Sequence, residues 1–163
     1  MESYLFRETQ KFNQIWIWVL LLSLSGAILW GIVRQVFLDK PIGPHPIPDI
    51  FLILLLLLPL ALMLLFRSIS LTTTVEKDLV LIEFHPFATR IILEDEIAKH
   101  YIRTYQPIRE FGGWGLRIGI RRRAYTLSGK EGVQLELHNG HKILIGTKDP
   151  EALDKAITRM FLV

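Results

Sequence analysis

Residues 50–66, IFLILLLLLPLALMLLF, run for 17 positions without a charge. As a helix at about 1.5 Å per residue the run covers about 25 Å of hydrocarbon, close to the thickness of a bilayer core. A segment so uniformly apolar has no polar face to turn to water, so it predicts a transmembrane helix. Pro59 inside it is expected to bend it, because the ring removes one bond to the preceding turn. Residues 15–33, IWIWVLLLSLSGAILWGIV, are also uncharged over 19 positions and predict a second span. Trp16 and Trp18 at one end and Trp30 at the other suit the aromatic belts of a membrane interface. The length of the run, and the lack of a small-residue cleavage site after it, argue against a removed signal peptide.

Ser23, Ala27 and Gly31 recur at every fourth position and form a strip of small side chains that lets another helix approach closely. The strip is expected to pack on the chain's own second span, with contact to a second copy as the alternative. Residues 34–49, RQVFLDKPIGPHPIPD, hold four prolines and a glycine and are expected to be an external loop, neither helix nor strand. Asp49 is the expected cap of the second span. Arg7, Lys11 and Arg67 flank the spans on one side, and Arg34 and Lys40 lie in the loop. The basic bias places both termini in the cytoplasm of a multi-pass cell-membrane protein. Neither run contains an ionisable residue, which argues against an ion path and hence a transporter.

From Ser68 the pattern alternates instead of turning. Residues 1–67 therefore read as a membrane anchor and 68–163 as one cytoplasmic domain large enough for its own core. No cysteine is present, which removes disulfides, thiolate metal sites and a cysteine nucleophile. Residues 70–75, 79–84, 89–93 and 97–105 read as a four-strand meander, and 115–120, 124–127, 133–138 and 141–145 as further strands. Asn139-Gly140 suggests a two-residue hairpin turn in which His138 faces His141, Glu136 faces Ile143 and Leu135 faces Leu144. Val133, Leu135, Leu137 and Leu144 would then face the core, with Ile143 and Ile145 on the other side. Asp149, Pro150 and Glu151 open a final helix whose Leu153, Ala156, Ile157 and Met160 form one apolar stripe. The fold class is α+β: a two-helix transmembrane hairpin followed by a β-sandwich or barrel of about seven strands with a carboxy-terminal helix.

The stretch GVQLELHNGHKILIGTKDPEALDKAI, residues 132–157, resembles the closing hairpin and helix of the bacterial pleckstrin homology-like (PH-like) domains of small membrane proteins. ILEDEIAKHYIRTYQP, residues 92–107, is similar to their third and fourth strands. The resemblance covers residues 68–163, and a two-span anchor is familiar in that group. It implies a binding or scaffolding module, not an enzyme. The basic phosphoinositide signature of eukaryotic PH domains has no counterpart here, where the loop after the first strand reads Val75-Glu76-Lys77-Asp78.

Charge is uneven along the domain. Residues 68–98 carry six acidic against two basic side chains, whereas residues 99–123 carry seven basic against one acidic. Within the basic part, residues 106–115, QPIREFGGWG, set Phe111 and Trp114 among Gly112, Gly113 and Gly115 and read as a partner-binding loop or as aromatics folded onto the domain itself. No phosphate-cradling glycine motif is present. Arg117, Arg121 and Arg123 share parity and, on a continuous strand, form a basic row with Arg103 and Arg109 nearby. Such a row suits anionic phospholipid, at about 1 kcal/mol per residue near an anionic leaflet. Nothing resembling a nucleic-acid module accompanies it. His138 with His141, and Glu94-Asp95-Glu96, lack the further ligands a metal site needs. No cofactor or small-molecule substrate is expected. The residues suggest a non-catalytic, membrane-anchored scaffold or accessory subunit that docks a membrane protein partner and is oriented by anionic lipid. A lipid or small-ligand sensor is the alternative. A membrane-bound hydrolase would need a pocket with two converging ionisable groups.

Overall fold

The computed structural model describes residues 4–40, 43 and 47–162. The chain forms two compact units, one of residues 13–68 and one of residues 1–12 with 69–163. The boundary thus differs from a single division after residue 67: a short amino-terminal piece belongs with the sheets.

In the helical unit, α1 (Ile15–Ile32) continues through a π-helical turn, Val33–Phe37, and α2 covers Asp49–Ser68. Both helices are long and apolar enough to cross a membrane. Only 11% and 6% of their most apolar windows are buried within the protein, unlike the core helices of a soluble fold. The helical turn corrects the expectation that the connection begins at Arg34. Residues 41, 42 and 44–46 of that loop lie outside the described residues. Gln35 Nε2 donates to the Asp49 carboxylate and the Ile47 carbonyl, each at 2.6 Å, and so ties the two helix ends. Pro59 is buried within α2. The buried side of α1 consists of Leu21, Ile28, Gly31 and Ile32, whereas Ser23 and Ala27 are exposed. Of the small-residue strip only Gly31 lies on this buried side, beside the large aliphatics Leu21, Ile28 and Ile32.

The first sheet contains β1 (Phe6–Lys11), β2 (Ser70–Val75), β3 (Leu79–His85) and β4 (Ala88–Leu93), all antiparallel and in chain order. β1 is absent from any alternating pattern because its inward positions are Phe6, Glu8 and Gln10, two of them polar. Their partners explain the choice. The buried Gln10 amide donates to the Gly146 carbonyl at 2.9 Å and accepts from Ser128 at 3.3 Å. Glu8 accepts from the Thr147 hydroxyl and, at 3.1 Å, from the Lys148 amide.

The second sheet has the order β5-β8-β9-β7-β6, from β5 (Ile97–Thr104), β6 (Gly115–Ile118), β7 (Arg122–Thr126), β8 (Glu131–Leu137) and β9 (Lys142–Gly146). β7 and β9 run parallel, and every other pair is antiparallel. The expected four-strand meander is corrected here: a 3-10 turn at Glu94–Glu96 sends β5 out of the first sheet to pair with β8. The hairpin register is corrected too. Leu137 N–H bonds the His141 carbonyl at 2.8 Å, leaving a three-residue loop with Gly140 at φ +80°. That extra residue sets Leu135 opposite Ile143 and Gln134 opposite Leu144. Ile143 and Ile145 thus share a face with Val133 and Leu135, and Leu144 turns to the other face. A short helix, α3 (Pro107–Phe111), precedes β6, and α4 (Pro150–Met160) closes the unit. Asp149 caps α4 by accepting from the Ala152 amide at 2.9 Å, and Leu153, Ala156, Ile157 and Met160 are buried as the stripe requires.

Removing the Gln10 amide leaves the Gly146 carbonyl unpaired in the interior. Gln10→Ala is expected to lower stability by about 1–3 kcal/mol, and deletion of residues 1–11 to abolish cooperative unfolding, both read by tryptophan fluorescence in detergent.

Candidate functional site

The pairing of the second sheet brings together residues that are far apart in the chain. Tyr101 lies opposite Gln134, Gln134 opposite Leu144, Leu144 opposite Ala124, and Ala124 opposite Arg117, so five strands contribute one row on one face. The neighbouring row on the same face reads Lys99, Glu136, Lys142 and Arg122. α3 and the β6–β7 hairpin border this face. Between them lies a groove of about 540 Å³ lined by Tyr101, Arg103, Phe111, Arg117, Arg122 and Lys142 among others.

Some of its charges are matched within the domain. Arg103 pairs with Glu110 and donates to Gln134 at 3.3 Å. Lys142 pairs with Glu136 at 2.7 Å, and the Tyr101 hydroxyl donates to the same carboxylate at 3.1 Å. Arg117 reaches only the Gly112 and Trp114 carbonyls, at 3.2 and 3.5 Å. Among the described residues no carboxylate lies within ion-pair distance of Arg117, Arg122 or Arg123. The groove therefore offers uncompensated positive charge above a floor formed by Leu144 and Phe111.

Hydrogen bonds from Lys142 and then Tyr101 hold the Glu136 carboxyl below the usual carboxylate range. Burial, followed by the bond to Glu136, pushes the Tyr101 hydroxyl up. An easily ionised acid beside a phenol reluctant to ionise is poorly matched to proton transfer near neutrality. Behind the groove, burial pushes the Tyr105 phenol up to about 12.

The structure separates the arginines that parity would align. The strand does not continue through residues 119–121: Gly119 N–H bonds the Arg122 carbonyl at 2.7 Å, and Ile120 and Arg121 form a tight hairpin loop. Arg117 faces Ala124 while Arg123 faces Ile118, so the register sets these two arginines on opposite faces of the hairpin, yet both line the groove; Arg121 lies in the turn and does not. Arg109, exposed on α3, donates to the Gln106 side chain at 3.4 Å. Arg103 does belong to the groove. Arg122 and Lys142, not singled out by the spacing, join it because β7 pairs parallel to β9, and no local pattern announces that pairing.

The glycine-rich stretch is folded onto the domain. Gly112, at φ +69°, ends α3 by donating to the Ile108 carbonyl at 2.9 Å, and Gly113 N–H reaches the Pro107 carbonyl at 2.9 Å. Phe111 meets the Tyr105 ring edge-on at 6.2 Å and packs against Ala124 and Leu144. The half-buried Trp114 donates its indole N–H to the Gly129 carbonyl at 2.8 Å. The apolar side chains that remain open here are Ile108, Ile118 and, at the hairpin tip and 95% exposed, Ile120. His138 flanks its turn, and among the described residues no group of three or more His, Asp or Glu side chains is placed to hold a metal ion. No protein-family description matches the chain, and no curated protein matches it.

A lowered pKa means that Glu136 favours folding at pH values above the ordinary carboxylate range, and that this contribution is lost as pH falls through its folded value. Denaturant unfolding at stepped pH is expected to show Glu136→Gln less stable than wild type at neutrality, with the difference closing in acid.

Proposed function

We propose that this chain is a membrane-anchored, non-catalytic docking module. In this reading α1 and α2 span the cell membrane as a hairpin and the two sheets with α4 form a cytoplasmic PH-like sandwich. The groove receives an acidic segment of a membrane protein partner, with anionic phospholipid orienting the domain. The observation that carries it is the sheet face on which Arg117 and Arg122 lack carboxylate partners while Arg103 and Lys142 have theirs. Unmatched surface cations steer and select acidic partners, and Ile118 and Ile120 beside them supply apolar contact area.

Topology supports the anchor. β1 ends paired with the start of β2, Lys11 opposite Ser70, so the intervening segment leaves and returns at adjacent positions. Such a segment crosses a bilayer an even number of times. Arg7, Lys11 and Arg67 on the domain side assign that side to the cytoplasm. The groove itself favours a second reading, a sensor for a small organic anion, because about 540 Å³ over an apolar floor is enough for one.

Co-purification from native membranes in mild detergent tests the docking reading. Wild type is expected to retain a membrane protein in stoichiometric amount, and the Arg117→Glu, Arg122→Glu double variant to retain about tenfold less or lower. Equal retention by both overturns docking through this groove. Loss of a bound small anion or of anionic lipid, counted by native mass spectrometry, with no protein partner in either sample favours the sensor.

A further inference from the structure

The turn between β3 and β4 carries a large apolar side chain with no cover. Phe87 is 54% exposed, although its ring lies 6.1 Å from that of the buried Phe84. Its backbone N–H bonds the Phe84 carbonyl at 2.8 Å, so the ring is presented by a closed turn and not by a loose loop. Neither the groove nor the core uses it.

Register decides where this turn lies. Ser70, the first residue of β2, pairs with His85, the last of β3. β3 runs antiparallel to β2, so Pro86 and Phe87 pass beyond the start of β2 to the level of Ile69. Ile69 in turn accepts from the Phe12 amide at 3.2 Å, and α2 ends one residue earlier, at Ser68. On β1 the same end of the sheet carries the exposed Lys11, opposite Ser70. The opposite end, with the Glu76–Asp78 turn, lies about 20 Å away, six residues at about 3.3 Å each.

We propose that the Pro86–Phe87 turn is an interfacial anchor: Phe87 enters the boundary between lipid headgroups and acyl chains beside the spans, and Lys11 and Arg67 meet the phosphates. This rests on the reading of α1 and α2 as membrane spans. Chain continuity carries it, because two residues of backbone extend at most about 7 Å and the headgroup layer on each side of the bilayer is about 5–7 Å thick. An aromatic ring with basic neighbours is the side-chain combination that favours this depth. The anchor limits the directions in which the groove can face.

The chain lacks cysteine, so single cysteines place a spin label without ambiguity. The full chain is reconstituted in vesicles of phosphatidylcholine and phosphatidylglycerol and labelled at Phe87→Cys, Lys77→Cys or Leu57→Cys. All three positions are exposed, and unchanged circular dichroism and melting show that each variant folds. Collision rates with oxygen, which concentrates in lipid, and with a water-soluble nickel complex then report depth. The expected result is a label deep in the hydrocarbon at 57, at the headgroup boundary at 87 and in water at 77. A label at 87 as open to nickel as that at 77, with 57 deep, overturns the anchor and leaves the spans standing. Shielding of 87 from both reagents overturns it as well, since that marks a protein contact. A water-exposed label at 57 overturns the membrane reading and the anchor with it.

Discussion

The pairing of β1 with β2 is the constraint on which the rest depends. Thr9 and Thr72, 63 positions apart, share a hydrogen bond across these strands, and everything between them must leave and return at one edge of the first sheet. Closing so long an excursion costs chain entropy, which grows only slowly with its length. The return is offset by a polar clasp: Gln10 and Glu8 bond backbone and side-chain groups around the end of β9 and the start of α4. The helical hairpin is therefore an insertion within a domain, held at both ends by adjacent strands.

Charge on the second sheet follows from the same kind of long-range pairing. Seven basic side chains between residues 99 and 123 make the region attractive to anions, but the fold distributes them unequally. Arg103 is matched by Glu110, and Lys142 from the following hairpin by Glu136. Arg117, Arg122 and Arg123 keep their charge at the groove, Arg123 from the opposite register position of the β6–β7 hairpin. A surface ion pair contributes little to stability, about 0–1 kcal/mol. Here the pairs matter more for what they leave unmatched.

Much of the architecture was legible. The two uncharged runs, the capped amphipathic α4 and most strand positions follow from periodicity and turn residues. β1 was not, because Glu8 and Gln10 point inward and break the alternation that marks a strand. The 138–141 turn misled in a small but consequential way: a loop one residue longer than an Asn-Gly turn suggests exchanged the faces of Leu144 and Ile143. Of the two readings of the glycines around Trp114, a partner loop or aromatics folded onto the domain, the structure shows Gly112 ending a helix and Phe111 against Tyr105, which the spacing alone does not distinguish.

By itself the sequence determined which segments avoid water, where helices start, and that positive charge concentrates in the middle of the domain. These are properties of neighbours within one or two turns of chain. Only the tertiary structure decided that the first strand belongs to the domain beyond the spans, and that Arg117, Arg122 and Lys142 share one groove. It also decided that Phe87 projects at the sheet end where the chain leaves for the spans. The physical reason is that strand pairing is set by partners far apart in sequence, and a shift of one residue in register moves every side chain to the opposite face.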